Sequence, residues 1–505
     1  MIKNLLFTIG FGVLTVGLNA QIRYVDNVLD ESQITVDKDI TYGSNYTLLY
    51  GDQDTVKPGF QPKLENLLMD IYFPTDGSTN RPLIIYLHTG SFLPRYINNT
   101  PTGYKDDSAT VAMCMEFAKK GYVVVSMAYR LGWDPRSLDE TVRRSTIINA
   151  AYKGVQDLSA CIRLFKEEAS ALGNPYSIDT TKIAIGGQGT GSYITNAFAG
   201  LDRQDEIKIN KFRDPQSGTP FVQDAVWGDR HGFGGLPGYN KVNTPGFKAE
   251  AQVSFAIGGA LGDTSWMEKG EIPTIWAHSV DDPFAPYTTG MVNVPGTTLQ
   301  VVEVSGGYDA MKRCQELGNT AAYKGKVMDD YTKEINKLND GIDGLYPIVG
   351  IQNSSGPYEW WDTVYIKALP PQFYNVPAIL GGAKLSNPLM SKTRAMKFVD
   401  TLQGYLAPRI AVSLGLVDRV GISETNMATN VTIAPNPTKN HIIVHNNWEN
   451  NNLKSIKIFS INGQYITSLN VTGAHNEFDL NLPNGLYLLS MEFDNGIGTK
   501  KLVIE

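Results

Sequence analysis

A chain of 505 residues is too long for one ordinary domain and predicts two or three. Its 42% hydrophobic and 19% charged residues suit a well-packed globular protein, and a net charge of −7 gives no electrostatic footprint for nucleic acid or anionic membrane. The only cysteines are Cys114, Cys161 and Cys314; they allow one disulfide or none, read best as small buried hydrophobes, and show no spacing for a structural zinc.

Met1 to Ala20 carries Lys3, an apolar run from Leu5 to Leu18 and the small Ala20, which is the pattern of a secretory signal peptide. The apolar run is short for a membrane anchor, and no cysteine near residue 20 offers a retained lipid. Residues 21–60 alternate apolar and polar (Ile34, Val36, Ile40, Tyr42) and predict early antiparallel strands. Leu67 to Phe73 is another strand, closed by Pro74. Pro82 to Leu87 is apolar throughout, as a strand covered on both faces would be, and leads into His88-Thr89-Gly90-Ser91-Phe92. A helix over about 108–120 precedes the strand Tyr122 to Met127, and a long helix over about 140–170 sets Val155, Leu158, Ile162 and Phe165 at helical spacing.

Ile183-Ala184-Ile185 then runs into Gly186-Gly187-Gln188-Gly189-Thr190-Gly191 and a helix-like Ser192 to Phe198. Strand, glycine-flanked sharp turn and helix form the context of a nucleophile elbow, G-x-S-x-G. Gly187 and Gly191 frame it, and Gly189 stands where the nucleophile belongs. The Gly-x-Gly-x-Gly run lacks the GxGxxG spacing of a dinucleotide site and a later acidic partner, so no cofactor is expected. Residues 202–250, rich in Gly, Pro, Asp and Asn, predict a lid or insertion over a site, with Trp227, His231 and Phe233 as its ligand-facing candidates. Ile272 to His278 is a later strand, a partly helical irregular stretch follows over about 319–345, and a last apolar helix spans about 388–405. Strands alternating with helices predict a mostly parallel sheet covered on both faces. Residues 417–430 look like a linker, and 431–505 like a small all-β sandwich of short strands and turns.

Several motifs in one order carry a family resemblance. His88 to Phe92 resembles an HGGGF oxyanion loop, Tyr129-Arg130-Leu131-Gly132 a YRLG signature, and Gly187 to Gly191 an elbow without its serine. His278-Ser279-Val280-Asp281-Asp282-Pro283-Phe284-Ala285-Pro286-Tyr287 resembles the HGxxDxxVPY loop that supplies the acid. The region from about residue 60 to 410 therefore resembles the α/β-hydrolase fold on its carboxylesterase and lipase side, within a domain expected to span 21–416. The resemblance implies Asp282 as the acid, and Thr89, Gly90 and Thr190 around the oxyanion. The tail resembles the C-terminal sorting domain of the Bacteroidetes type IX secretion system, through Ala434-Pro435-Asn436-Pro437, Ile458 to Gly463, Gly485-Leu486-Tyr487 and the closing Lys500 to Val503. That resemblance implies passage through the periplasm to the medium or the cell surface, with the secretion machinery as a partner.

Acyl transfer on this fold needs a Ser or Cys nucleophile, an acid and a His base, in that chain order. Gly189 supplies no nucleophile. The six histidines are His88, His231, His278, His441, His445 and His475, and none lies between Asp282 and residue 440, where the base belongs. Asn353-Ser354-Ser355-Gly356-Pro357-Tyr358-Glu359-Trp360 stands there and resembles a loop that carries HxPxE elsewhere. Ser192 reads as a helix-start hydroxyl, Ser91 lacks a visible base, and the Asp281-Asp282 pair reads equally as a loop satisfied by backbone N–H groups. No metal site is expected. The sequence thus points to a secreted pseudo-esterase that binds an ester, a glycan, a hydrophobic ligand or a partner protein. The alternative is an esterase-type hydrolase with a rearranged site.

Overall fold

The computed structural model describes residues 21–49, 62–98, 100, 102–349, 356–360, 363–372, 374–421, 427–448, 451–461, 463–494 and 496–505. The expected signal peptide, the end of the first alternating stretch, residues 353–355 of the expected base segment and 422–426 of the expected linker lie outside them. Two compact units emerge, one ending at Val420 and one running from Gly421 to Glu505.

The first unit opens with a long antiparallel pair, β1 (Ile34–Thr47) and β2 (Lys63–Pro74). β3 (Arg81–Leu87) follows, buried along its whole length. Beyond it come the short α1 (Arg95–Asn98), α2 (Ser108–Lys119), β4 (Val123–Met127), the 32-residue α3 (Glu140–Ala171) and β5 (Ile178–Gln188). Next are α4 (Thr190–Gly200), the single turn α5 (Asp224–Trp227), β6 (Val253–Ile257) and β7 (Thr274–Ser279). A separate hairpin, β8 (Thr289–Asn293) with β9 (Gln300–Ser305), precedes α6 (Gly307–Leu317), α7 (Asp330–Ile335) and β10 (Leu345–Ile348). The unit closes with α8 (Thr363–Lys367), α9 (Val376–Ser386) and α10 (Lys392–Ser413).

Eight of these strands form one sheet in the order β1-β2-β4-β3-β5-β6-β7-β10. The pairs β1–β2 and β2–β4 are antiparallel, and every other pair is parallel. The expected mostly parallel sheet is present, and strand alternation divides its core into two layers. Leu83, Ile85, Val123 and Val125 face Leu158 and Ile162 of α3 and Ile194 of α4. Ile84 and Val124 face Phe117 of α2 and Val399, Leu402 and Ile410 of α10. Apolar strand residues thus leave the water on both faces at once, as buried parallel strands require.

α10 continues beyond the predicted end of the last helix, and the chain then holds to the first unit through Val420. There, Met328 N donates to Val420 O at 2.8 Å and Val420 N to Lys326 O at 2.9 Å. Residues 417–420 therefore belong to the first unit. Cys114, Cys161 and Cys314 are all free and buried.

The second unit stacks a three-stranded sheet, β11 (Val431–Ala434), β12 (His441–Asn446) and β15 (His475–Asp479), with a four-stranded one. The latter holds β13 (Leu453–Ser460), β14 (Tyr465–Asn470), β16 (Gly485–Phe493) and β17 (Gly496–Ile504) in the order β14-β13-β16-β17. Ile442 and Val444 of one sheet share a core with Ile456, Ile458, Leu489 and Met491 of the other, so the expected small β-sandwich is present.

Candidate functional site

The turn from β5 to α4 has the backbone of an elbow. Gly189 adopts φ 51°, ψ −116°, a region open to glycine and costly for a residue with a Cβ. Its N–H donates to Ile257 O at 2.9 Å, holding the turn to the end of β6. The framing glycines are demanded by close approach. A Cβ on Gly187 would fall 2.5 Å from the Gly191 carbonyl carbon, and one on Gly191 would fall 2.3 Å from Leu87 O. Ser192 is fully buried; its hydroxyl donates to Gly187 O at 2.7 Å and accepts from Ile257 N at 3.1 Å. That serine staples two strands together and is unavailable for attack.

Thr89 stands over the turn. A Cβ built on Gly189 would lie 2.0 Å from Thr89 Oγ1 and 2.8 Å from Thr89 Cβ, so the threonine side chain occupies the space a nucleophile would use. Gly90 (φ 132°) approaches Gly103 so closely that a Cβ on it would fall 2.2 Å from Gly103 Cα. Gly103 is held in turn by Asp107, whose Oδ2 accepts from Gly103 N at 2.7 Å. The Thr190 hydroxyl is 2.9 Å from Tyr129 Oη, and Tyr129 donates to His88 O at 2.8 Å. His88 stacks on Tyr129 at 4.5 Å, fully buried, with Nδ1 2.6 Å from Thr89 O. Burial pushes its pKa down to about 4, so the ring is neutral and shapes the loop.

On the opposite side, Asp282 Oδ1 accepts from Phe284 N at 2.8 Å and Ala285 N at 3.0 Å. Its Oδ2 lies 3.4 Å from His278 Nε2. His278 Nδ1 accepts from Gly307 N at 3.1 Å, which leaves the proton on Nε2, 3.1 Å from Ala285 O. The ring is fully buried and tied at both nitrogens. Asp282 therefore braces its own loop and His278. Asp281 next to it is exposed.

These groups meet at a cavity of ≈ 200 Å³ whose wall includes Thr89, Gly189, Thr190, Asp282, Tyr358 and Glu359. Gly90 is not part of that wall. No Lys, Arg or His lines it among the described residues. Most of the wall is apolar. α3 gives Ile147, Ile148 and Val155, the β8–β9 hairpin gives Val292, Val302 and Val304, and the start of the insertion gives Ile207, Phe212 and Val222. Glu359 carries a carboxyl pushed up to about 8, first by burial and then by the nearby Asp107 and Asp282. Sequence reasoning passed over Glu359 as a site residue; its place in the stretch that resembles an HxPxE loop was the signal available. The hairpin wall left none, since short strands of mixed character look alike wherever they pack.

The insertion residues singled out from sequence pack elsewhere. Trp227 sits over the Lys153 amine at 4.2 Å and edge-on to Tyr239, and Phe233 lies under Arg163 at 4.7 Å. His231 is held by its backbone, its carbonyl accepting from Arg163 Nη1 at 2.8 Å. None of the three is part of the cavity wall. They line a seam with the outer face of α3, where Gln156 Nε2 donates to Trp227 O at 2.7 Å and Asp229 O at 2.8 Å, and Arg163 reaches Asn243 O at 2.9 Å. Beneath the seam, Arg130 and Asp157 form a buried ion pair at 2.9 Å. The physical reason is the polar inventory of α3: its buried amides and guanidinium need acceptors, and the insertion's carbonyls supply them.

Residues 69–288 match the BD-FAE family, an esterase-like α/β-hydrolase, and residues 432–505 match the secretion system C-terminal sorting domain. No curated protein sequence matches the chain. Among solved structures, Thermogutta terrifontis esterase 2 phosphorylated by paraoxon is 13% identical over 77% of this chain and 96% of that one, with a TM-score of 0.36. Its apo form is 13% identical over 77% and 97%, at 0.35, and its form phosphonylated by sarin 14% identical over 73% and 99%, at 0.35.

Proposed function

For a chain whose body is an esterase-like α/β-hydrolase and whose type IX sorting tail directs it to the medium or the cell surface, we propose ligand binding without serine-esterase turnover. One observation carries this reading: the Thr89 side chain fills the space above Gly189. A simple Ser→Gly loss would leave that space empty. Here the loop opposite has closed over it, so the chemistry is gone on two sides while the apolar cavity remains. The histidines of the first unit are consistent with this, since His88 and His278 are sealed in the loops and His231 faces the seam. An ester, a glycan or another largely apolar molecule is the ligand class that the wall fits best.

The alternative, hydrolysis through a rearranged site, draws on Glu359 and Asp282 sharing one cavity. A single experiment separates the two. The purified chain is incubated with a short-chain p-nitrophenyl ester and with a fluorophosphonate probe, while Trp133 and Trp266 of the wall report ligand by fluorescence. Silence in both reactions with a saturable fluorescence change is the expected result. Turnover of the ester overturns the binding-only reading.

A further inference from the structure

We propose that the cavity takes an amphiphile with a cationic ammonium head, and that Glu359 is the group that recognises the head. This rests on the ligand-binding reading and specifies it. Three observations lead to it. Among the described residues, the charged side chains of the wall are all acidic, Asp282 and Glu359, with no lining cation to meet an anionic head. Asp282 is already tied to two backbone N–H groups and stands beside His278, whereas the Glu359 carboxyl takes no hydrogen bond from any described residue. Aromatic rings stand close by: Tyr193 is near enough to Asp282, and Tyr358 to both carboxyls, for their phenols to feel the acids. Carboxyl groups beside aromatic side chains, in the wall of an apolar chamber, offer a desolvated ammonium the counter-charge and ring contacts it needs.

Proton linkage makes the idea measurable. The groups facing Glu359 are Asp282, Asp107 with its partner Arg95, and the Tyr358 and Tyr86 phenols. In the empty cavity burial and these acids keep Glu359 protonated up to about pH 8. A fixed cation seated beside it favours the ionised form and expels the proton. Affinity for the cation therefore rises with pH below about 8, by at most tenfold per unit, and levels off above it.

The test titrates the full chain by calorimetry with octyltrimethylammonium, octanol and octyl sulfate, all below micelle formation, at pH 6.5 and 8.5. Octyltrimethylammonium carries a charge that does not titrate, so any pH dependence belongs to the protein. The expected result is that it binds at least tenfold tighter than octanol at pH 8.5, that its affinity falls about tenfold at pH 6.5, and that octyl sulfate binds weakest. Glu359→Gln should remove both the preference and the pH dependence, with a urea unfolding curve like the parent's to report an intact fold. Octanol binding with no preference for the ammonium, or an unaltered preference in Glu359→Gln, overturns the proposal while the ligand-binding reading stands. Failure of all three probes to bind overturns both.

Discussion

The elbow and the α3 seam are held by opposite means. At the elbow, backbone does the work: Gly187, Gly189 and Gly191 let three segments touch at distances no Cβ permits. At the seam, side chains do it, as Gln156 and Arg163 reach across to carbonyls of residues 227–244 and a buried Arg130–Asp157 pair lies below. The elbow holds its shape with glycine at its centre. A turn defined in this way does not depend on the side chain at its centre, because the close contacts of Gly187 and Gly191 are made with backbone atoms. The seam has no such independence, since each of its bonds ends on a particular polar side chain that burial has made costly to leave alone.

Breaking the seam should therefore cost most. Asp157→Ala leaves the Arg130 guanidinium buried with Gln156 Oε1 and the Lys153 carbonyl but no counter-charge. We expect a loss of about 3–5 kcal/mol in urea unfolding of the first unit. A smaller loss than that of any elbow substitution would reverse the comparison.

Gly189→Ser attacks the elbow. The new side chain meets both an unfavourable backbone region and Thr89 Oγ1, for an expected cost of about 2–3 kcal/mol. Thr89→Gly in the same chain removes the collision, so the pair should show a coupling of about 1 kcal/mol or more in a double-mutant cycle. Neither the single nor the double variant should hydrolyse esters efficiently, since no described histidine lines the cavity to serve as base. Additive costs would mean that the two side chains do not compete for one place.

The same contrast decides what could be read from the sequence. The sheet, the elbow and the tail were legible because their signals are local: apolar runs, glycines at fixed spacing, turn dipeptides. The lack of a serine at Gly189 and of a histidine between Asp282 and residue 440 was legible too, since both are statements about residue type. Thr89 filling the space above Gly189 was not, because a threonine in that loop says nothing about which way its hydroxyl turns. Trp227, His231 and Phe233 misdirected the reading for a related reason. Aromatic residues in an irregular insertion look alike whether they face a ligand or a helix, and the partners Lys153 and Arg163 lie some 70 positions away.

Trp227→Ala sharpens this point. The ring is half-buried against Lys153 and Tyr239, so its removal should lower stability by about 2 kcal/mol, below the range of a full core truncation. Binding of octanol should be unchanged at temperatures where the variant is folded. Weakened binding would return Trp227 to the cavity and undo the distinction between the two ends of the insertion.

The last effect is spread over pH and is the most specific to the seam. Lys153 is 4% exposed, and burial, aided by Arg130, lowers its pKa to about 7. An unfolded lysine titrates near 10.4, so between pH of about 7 and about 10.4 the unfolded chain holds a proton that the folded chain has released. Stability should rise with pH across that window, by up to about 1.4 kcal/mol per unit from this group. Below about 7 both states hold the proton and the cost of burying the charge is constant. Above about 10.4 neither holds it and the cost is gone. Lys153→Met removes the titration, so the stability difference between variant and parent should shrink steadily from pH 7 to pH 10 in urea unfolding at fixed ionic strength. In Trp227→Ala the amine gains access to water, and the parent's slope should flatten in the same window. A constant difference between parent and Lys153→Met would show that the amine keeps its proton in the fold, with the ring of Trp227 stabilising a charge that burial and Arg130 oppose.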